Sequence, residues 1–218
     1  MIKKLSVLLI LTIISLIMFS CNTNTVKILK RSLSYVEKHK LFGLTEDYKV
    51  IVTIGLKEVV PIIDGITGQV EDFVKVALIP LKLGGLEKKY KFRYGELEGE
   101  LTPDTIKYQQ GVTLSGNAVL DSIIIFSNGI SEKVTLTDIN DSNTSYLDAL
   151  EASSKVLQKV IRENIKKNTL NREIYITIVE DTLGTNRFYY YIGYLSSPSL
   201  YSAALIDPYT KEAVAVKP

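Results

Sequence analysis

The first twenty residues contain the longest nearly continuous apolar run of the chain. Lys3 and Lys4 precede this run, which extends from Leu5 to Phe19 and is followed directly by Ser20-Cys21. A basic head, an apolar stretch and a junction of small residues are the parts of an export signal. The run is shorter than the ~20 residues that a membrane-spanning helix requires. We therefore expect residues 1–20 to be a removed signal and the polar residues 21–25 to form a short tether.

After the tether, apolar residues recur at helical spacing. They are Val26, Leu29, Leu33 and Val36. This spacing predicts one helix that ends near Phe42-Gly43. Its other face carries basic residues, namely Lys27, Lys30, Arg31, Lys38, His39 and Lys40. Two interpretations are open: a solvated face of a helix packed on a sheet, or a face attracted to anionic headgroups.

From Tyr48 onward the pattern changes to the two-residue period of strands. The predicted strands are residues 48–54, 59–63, 70–73, 74–82, 89–94, 121–127 and 130–138. Asn128-Gly129 lies between the last two and favours the positive φ angles of a type I′ turn. This segment is therefore the clearest hairpin in the chain.

A polar segment from Asp138 to Ser145 separates these strands from a second predicted helix. Ser145 and Asp148 form a variant of the capping box at its start. Its apolar stripe consists of Leu147, Leu150, Leu157, Val160, Ile161 and Ile165. Strands are predicted after it at residues 173–180, 187–195, 201–206 and 212–216, with a turn at 183–186.

These elements predict an α+β fold in which a helix is followed by an antiparallel β-meander. The chain is either one such domain or two similar helix-plus-sheet units. In the second case the units are residues 26–140 and 141–218.

The composition excludes several classes of function. The chain has 26 Lys and Arg against 24 Asp and Glu, and loss of Lys3 and Lys4 with the signal leaves a neutral mature chain. Nucleic-acid binding depends on neutralising phosphates, so we expect no nucleic-acid partner. One cysteine cannot form an internal disulfide, and one histidine excludes the common multi-histidine zinc sites.

The segment Met18-Phe19-Ser20-Cys21 resembles the lipobox of bacterial lipoproteins, although that family usually has Leu and a small residue where this chain has Met18 and Phe19. The resemblance implies that the Cys21 thiol is joined to diacylglycerol, that the signal is cut before Cys21, and that the new amino group is acylated. Two or three acyl chains hold a soluble domain on a membrane almost permanently. The expected location is the cell envelope, with the outer membrane or cell surface favoured over the inner membrane.

The C-terminal part resembles PepSY-like domains, which are small helix-plus-sheet units of exported bacterial proteins. The resemblance covers about Tyr146 to Pro218 and depends on the turn Asp207, Tyr209-Thr210, where Lys211 replaces the usual Gly. A similar turn stands at Asp64 to Gly68. The resemblance implies association with other envelope proteins, or their inhibition, rather than catalysis.

No familiar catalytic or cofactor-binding motif occurs in the sequence. A Gly-x-Ser-x-Gly elbow, a Walker loop and a His-Glu-x-x-His motif are all missing, and His39 is interpreted as a solvated bystander. Glu96, Glu98 and Glu100 alternate along a predicted strand, where they either bind a cation or protect a solvated edge. The Asp138, Asn140 and Ser142 pattern lacks the Gly and Glu of a calcium loop. We predict no catalytic residues, no metal and no cofactor.

The segment from Phe188 to Tyr194 is the most aromatic part of the chain. Alternation places Tyr190 and Tyr194 on one side and Tyr189 and Tyr191 on the other. If one side faces a helix, the other exposes tyrosines that suit a protein or glycan contact. All four are candidate partner-binding residues, although tyrosine is also common in strands for packing alone.

The sequence therefore predicts a membrane-anchored envelope lipoprotein that binds or assembles with another envelope or host protein and is not an enzyme. Two alternatives remain open. One is a carboxylate-dependent hydrolase, whose acids can lie anywhere in the sequence. The other is a lipid carrier, which would have a dry pocket of several hundred Å³ between sheet and helices.

Overall fold

The computed structural model describes residues 25–140, 144–181 and 187–218. Strand accounts for 54% of the structure and helix for 15%. The α-helices of the described residues are α1 at residues 25–30, α2 at Tyr146–Val156 and α3 at Gln158–Asn164, and a short 3-10 helix lies at Gly85–Glu87. The fold is therefore mainly β.

The strands of the described chain are numbered in sequence order. They are β1 (Leu33–Leu44), β2 (Tyr48–Glu58), β3 (Val70–Pro80), β4 (Tyr90–Tyr94), β5 (Leu97–Glu100), β6 (Thr102–Asp104), β7 (Gln109–Ser115), β8 (Ser122–Ser127), β9 (Ile130–Thr135), β10 (Thr137–Asp138), β11 (Ile165–Lys166), β12 (Thr169–Leu170), β13 (Glu173–Glu180), β14 (Phe188–Ser197), β15 (Leu200–Ile206) and β16 (Ala213–Lys217).

One sheet of ten strands contains both early and late parts of the chain. Its order is β16-β15-β14-β13-β1-β2-β3-β7-β6, and β10 pairs with the far end of β1. Among the described strands of this sheet, β1 and β13 are the parallel pair, with Val36 opposite Ile176. Because β1 also pairs with β2, it joins the early strands to the late strands in a single sheet.

The helices and a smaller sheet cover the same face of the large sheet. Residues opposite each other in a ladder point to the same face, and Val36 and Leu41 of β1 pair with Leu56 and Val52 of β2. Leu56 and Val52 are four residues apart and so face the same side. Val36 belongs to the core under the helices and Leu41 to the core under the smaller sheet.

The two cores meet along β1. The first lies between the helices and the strands β1, β13, β14 and β15, and it includes Leu29, Leu150 and Tyr190. The second lies between β2 and β3 and the antiparallel sheet β5-β4-β8-β9, and it includes Val52 and Phe92. The opposite face of the large sheet carries neither helix nor second sheet from the described residues.

The predicted α+β class, with a helix before an antiparallel β-meander in one or two units, is wrong. The helices α2 and α3 precede β13 to β16 in sequence, but those strands continue the large sheet through β1. Most of the early half is strand. Periodicity shows which side of an element is buried and does not show which strand it pairs with, so the joint between β1 and β13 was not visible in the sequence.

The predicted helix from Val26 to Gly43 is also wrong, because α1 ends at residue 30 and β1 begins at Leu33. The pairing of β1 shifts register between Leu33 and Tyr35 on one side and between Glu37 and His39 on the other. Such irregularities interrupt the two-residue alternation of buried positions. The spacing of Leu33 and Val36 therefore imitates a helix.

Several single elements are confirmed. The strand from Tyr48 is β2, and Asn128 and Gly129 have φ of 52° and 79° in the hairpin between β8 and β9. The Ser145 side chain accepts a hydrogen bond from the Asp148 amide in a complete capping box. Residues 59–63 form a loop instead of the predicted strand. Residues 1–24 with Cys21, the segment 141–143 and the predicted turn at 183–186 lie outside the described residues.

No helix in the described parts of the chain combines the length and the apolar character needed to cross a membrane.

Candidate binding cleft

The strands β1 and β13 separate beyond their short parallel ladder. Their pairing runs from Leu33 and Ile174 to Val36 and Ile176, and β10 then takes the place beside Leu41 and Phe42 of β1. A wedge therefore opens between β1 with β10 on one side and the end of β13 on the other. It is located at the end of β1 that is far from α1.

Two charged side chains replace the missing ladder at the start of this wedge. The amide of Ile178 in β13 donates to Glu37 Oε2 at 2.8 Å, and Lys40 Nζ donates to the carbonyl of Ile178 at 2.6 Å. Glu37 is 8% exposed, and its carboxylate is 3.6 Å from the Lys40 ammonium. Buried backbone groups need partners, so this pair satisfies the edge of β13 where β1 has moved away.

A cleft of about 620 Å³ occupies the open part of the wedge. The described residues that line it are Phe42, Gly43, Leu44, Lys49, Thr135, Thr137, Asp138, Ile139, Glu180, Asp181, Arg187 and Phe188. They come from β1, β2, the end of β9, β10 and the facing ends of β13 and β14. Its apolar part is formed by Phe42, Leu44, Ile139 and Phe188.

Charges of both signs surround this apolar surface. Lys49 Nζ is 4.0 Å from the centre of the Phe42 ring and 3.5 Å from Glu180 Oε1. Across the cleft, His39 Nδ1 is 2.8 Å from Asp138 Oδ2, and the Asn140 amide donates to Asp138 Oδ1. The cleft therefore presents aromatic rings together with fixed charges.

The acids of the cleft have partners within the chain. Glu180 faces Lys49, and Asp138 accepts hydrogen bonds at both oxygens. Both acids therefore have their charged or polar partners already in place.

The space that a lipid carrier would need is filled. Leu150 and Leu157 on the helix side and Tyr190 and Ile192 on the sheet side are all 2% exposed or less and belong to one core. In the described residues, these side chains pack where an apolar ligand would lie.

The four candidate tyrosines are divided between the two faces of β14. Tyr190 and Tyr194 are fully buried under the helices. Tyr190 Oη donates to the Thr144 carbonyl, and Tyr194 Oη and Ser153 Oγ are 2.7 Å apart. Burial raises the pKa of Tyr190 to about 12, against a weaker opposite effect of its hydrogen bond to Asn140. These two residues stabilise the core and are not accessible to a partner.

Tyr189 and Tyr191 are half-buried on the uncovered face. Tyr189 is adjacent to Phe188 of the cleft. Burial also raises the pKa of Tyr191. Nearer the start of β1, an aromatic row crosses the same face, with ring centres of Tyr35 at 5.3 Å from Phe73 and 6.1 Å from Tyr175.

Buried carboxylates anchor the loop between β2 and β3, residues 59–69. Glu173 is fully buried, and its Oε1 accepts hydrogen bonds from the amides of Asp64 and Gly65 at 2.8 and 2.9 Å. Its Oε2 accepts a hydrogen bond from the Tyr175 hydroxyl. Burial raises the pKa of Tyr175, and the negative charge of Glu173 adds a smaller effect in the same direction. Glu58 Oε1 accepts a hydrogen bond from the Gly68 amide at 2.7 Å. These acids support the loop.

The other candidates from the sequence are surface residues. Glu98 and Glu100 of β5 lie opposite Arg93 and Lys91 of β4, and Glu98 is 3.7 Å from Arg93. Among the described residues, no group of three or more acids, histidines or cysteines is placed to hold a metal. His39, interpreted from sequence as a bystander, instead contacts Asp138.

Most of the cleft was missed by sequence reasoning. The sequence pattern places Phe42 at a helix end and Lys49 in a strand, and it does not distinguish Glu37 from other surface acids. The signal that could have found the site is the mixture of helical and strand spacing in residues 33–44, which a strand with register shifts produces.

Comparison of the chain with protein-family models, with curated proteins and with solved structures found no match.

Proposed function

We propose that this chain is a bacterial envelope protein, anchored through lipid on Cys21, that binds a partner protein in the cleft and catalyses no reaction. The observation that carries the proposal is the placement of two features at opposite ends of β1. The chain enters the fold through α1 at the start of β1, and the cleft is at Phe42 and Leu44. With ~3.3 Å per strand residue, these ends are about 35–40 Å apart.

This separation suits a tethered receptor. An anchor at Cys21 holds the α1 end near the bilayer, and the cleft then faces away from it. The proposed location is the cell envelope, with the outer membrane or the cell surface favoured because a surface directed away from the bilayer there meets other proteins.

The chemistry of the cleft suits an extended protein segment. Aromatic and aliphatic side chains provide apolar area, and Lys49 with Glu180 can fix the orientation of a polar backbone or side chain. At Ile178 the edge of β13 is already satisfied by Glu37 and Lys40, so a segment in the cleft is held by contacts with side chains. Tyr189, beside Phe188, extends this surface onto the uncovered face.

The anchor is tested by growing cells on a labelled fatty acid. The wild-type chain should carry the label and sediment with membranes, and Cys21→Ser should lose both properties. Equal membrane attachment of both chains, with no label on either, contradicts the anchor.

The cleft is tested by photo-crosslinking in intact cells. A photoreactive amino acid at Leu44, which is 72% exposed in the cleft, should give discrete adducts. The same amino acid at Ile106, which is 95% exposed in the turn between β6 and β7, is the matched control. Lys49→Glu should weaken the Leu44 adducts severalfold, whereas Lys107→Glu should not. Equal adducts from both positions, or none from Leu44, would exclude the cleft as the binding surface.

A further inference from the structure

The loop of residues 59–69 exposes apolar side chains. Val60, Ile62 and Ile66 are 64%, 58% and 68% exposed, and Val59 and Pro61 are also exposed. A hollow of about 370 Å³ lies within the loop. Contiguous apolar surface of this kind marks a site of interaction.

The backbone of this loop is held in place from the side of the sheet. Glu173 accepts hydrogen bonds from the backbone amides of Asp64 and Gly65. Glu58 accepts a hydrogen bond from the Gly68 amide, and Ser34 Oγ is 3.1 Å from Thr67 Oγ1. The Asp64 side chain also accepts a hydrogen bond from the Ile66 amide within a turn. The backbone amides of Asp64, Gly65 and Gly68 therefore point inward to fixed partners while the apolar side chains point to solvent beside exposed Asp64, so the exposure is built into the fold.

The loop lies at the end of the sheet where the chain enters the fold. Ser34, which contacts Thr67, is near the start of β1, nine residues after Thr25. Cys21 is four residues before Thr25, and four extended residues span at most about 14 Å. In the proposed mature chain, Cys21 is therefore at most about 14 Å from Thr25, at the end of the sheet where β1 begins.

Basic and further apolar residues are exposed on other elements at this end of the sheet. Lys27, Lys30 and Arg31 are exposed in and after α1. The hairpin β11–β12 carries exposed Lys166 and Lys167, and it is followed by Asn171, whose carbonyl lies against Gly65. Leu200 is exposed in the hairpin of β14 and β15, which reaches Gly65 through Ser196. Exposed acids on these elements are Asp64 in the loop and Glu163 near the end of α3, so the five cations named outnumber them.

We infer that the loop of residues 59–69 inserts into the headgroup region of the bilayer, with the exposed lysines and arginine of α1 and of the β11–β12 hairpin on anionic headgroups. Exposed apolar side chains with cations on neighbouring elements are the chemistry of an interfacial membrane contact. This inference rests on the proposed anchor for bringing the loop to the membrane. It adds that the domain has a fixed orientation, with the loop in the bilayer and the cleft outward.

The chain contains no tryptophan, so a single introduced tryptophan reports on one position. Full-length Ile62→Trp and Ile66→Trp chains, purified from membranes, are reconstituted into vesicles of equal parts phosphatidylcholine and phosphatidylglycerol. The lipids carry a nitroxide at the top of the acyl chain. Interfacial segments lie about 5–10 Å into the headgroup and acyl boundary, so each tryptophan should lose roughly half of its fluorescence and shift to the blue.

The control is Leu83→Trp, at a position 98% exposed at the other end of the sheet, just after β3. Its fluorescence should be unchanged by the nitroxide. Two tryptophan positions in the loop allow the test to proceed if one variant does not fold.

Labelling of Cys21 is measured on the same samples, so the two proposals are separated. Labelled chains with unquenched loop tryptophans overturn the insertion and leave the anchor. Unlabelled chains with quenched loop tryptophans support the insertion and overturn the anchor. Unlabelled and unquenched chains overturn both, and equal quenching at Leu83→Trp overturns the insertion because it shows no preferred orientation.

Discussion

At Gly55 in β2 the backbone of β1 occupies the place that a side chain would need. A Cβ atom on Gly55 would lie 1.7 Å from the Val36 carbonyl oxygen. The approach coincides with the register shift of β1 near Glu37, where a bulged strand bends toward its partner. The absence of a side chain at Gly55 thus permits the irregularity from which the wedge and the cleft develop.

We expect Gly55→Ala to lower the free energy of unfolding by about 2–3 kcal/mol, because the clash is with backbone and cannot be relieved by a rotamer change. Urea denaturation provides the measurement. The matched control is Gly68→Ala, whose Cβ would be 3.8 Å from the nearest atom of Glu58, and its effect should stay within about 0.5 kcal/mol. Similar losses from both variants would contradict the argument.

A second prediction at the scale of single residues concerns Glu173. Its carboxylate accepts three hydrogen bonds while fully buried. Glu173→Gln replaces one acceptor oxygen by a donor, so we expect a loss of about 1–3 kcal/mol of unfolding free energy. Exposed Glu212→Gln is the control, with little change expected. Faster proteolysis within residues 59–69 in Glu173→Gln would locate the effect, and a stability equal to that of Glu212→Gln would refute it.

At the scale of elements, α2 depends on its cap. The Asp148 amide donates to Ser145 Oγ at 3.2 Å, and the Ser145 amide donates to the Asp148 carboxylate at 2.9 Å. This backbone hydrogen bond, outweighing slight desolvation, lowers the pKa of Asp148. The two bonds satisfy amides that the first turn leaves without helical partners.

Ser145→Ala should cost about 1 kcal/mol of unfolding free energy, the usual effect of losing such a cap. The comparison variant is Ser131→Ala at an exposed position of β9, where little change is expected. Thermal unfolding followed by circular dichroism separates the two. An unchanged melting temperature for Ser145→Ala would mean that packing alone holds the start of α2.

At the scale of the whole molecule, buried tyrosines link stability to alkaline pH. Burial raises the pKa of Tyr190 to about 12 and also raises that of Tyr194, whereas unfolded tyrosine titrates near 10. Between about pH 10 and 12 the unfolded chain loses phenolic protons that the folded chain keeps. Unfolding is therefore favoured as the pH rises through this window, and the stabilising contribution is fully present below about pH 10.

The tyrosines should leave the urea midpoint unchanged below about pH 10. Between about pH 10 and pH 12 they should lower it. Tyrosinate absorbance follows the same transition without interference, since the chain has 13 tyrosines and no tryptophan. Tyr190→Phe should make the fall less steep, whereas Tyr108→Phe at an exposed turn should not. A midpoint independent of pH across the window would contradict this linkage.

The sequence by itself determined structural features that depend on residues close together in the chain. The two-residue alternation around Val50 and Val52, the Asn128-Gly129 turn and the capping pair Ser145 and Asp148 depend on contacts between near neighbours in the chain. The division of Tyr189 and Tyr190 between two faces of β14 is of the same kind, because it follows from strand geometry alone. The interactions that produce each of these features lie within a few residues of the sequence.

Only the tertiary structure decided the sheet order, the conformation of residues 33–44 and the cleft. Pairing of β1 with β13 joins residues about 140 positions apart, and no local pattern specifies such a partner. The same holds for Glu37, which acts as a substitute ladder partner for Ile178 only because β1 and β13 separate there. The free energy of long-range pairing outweighs local helical spacing in residues 33–44, and for this reason both the fold and its candidate site emerged only once the chain was folded.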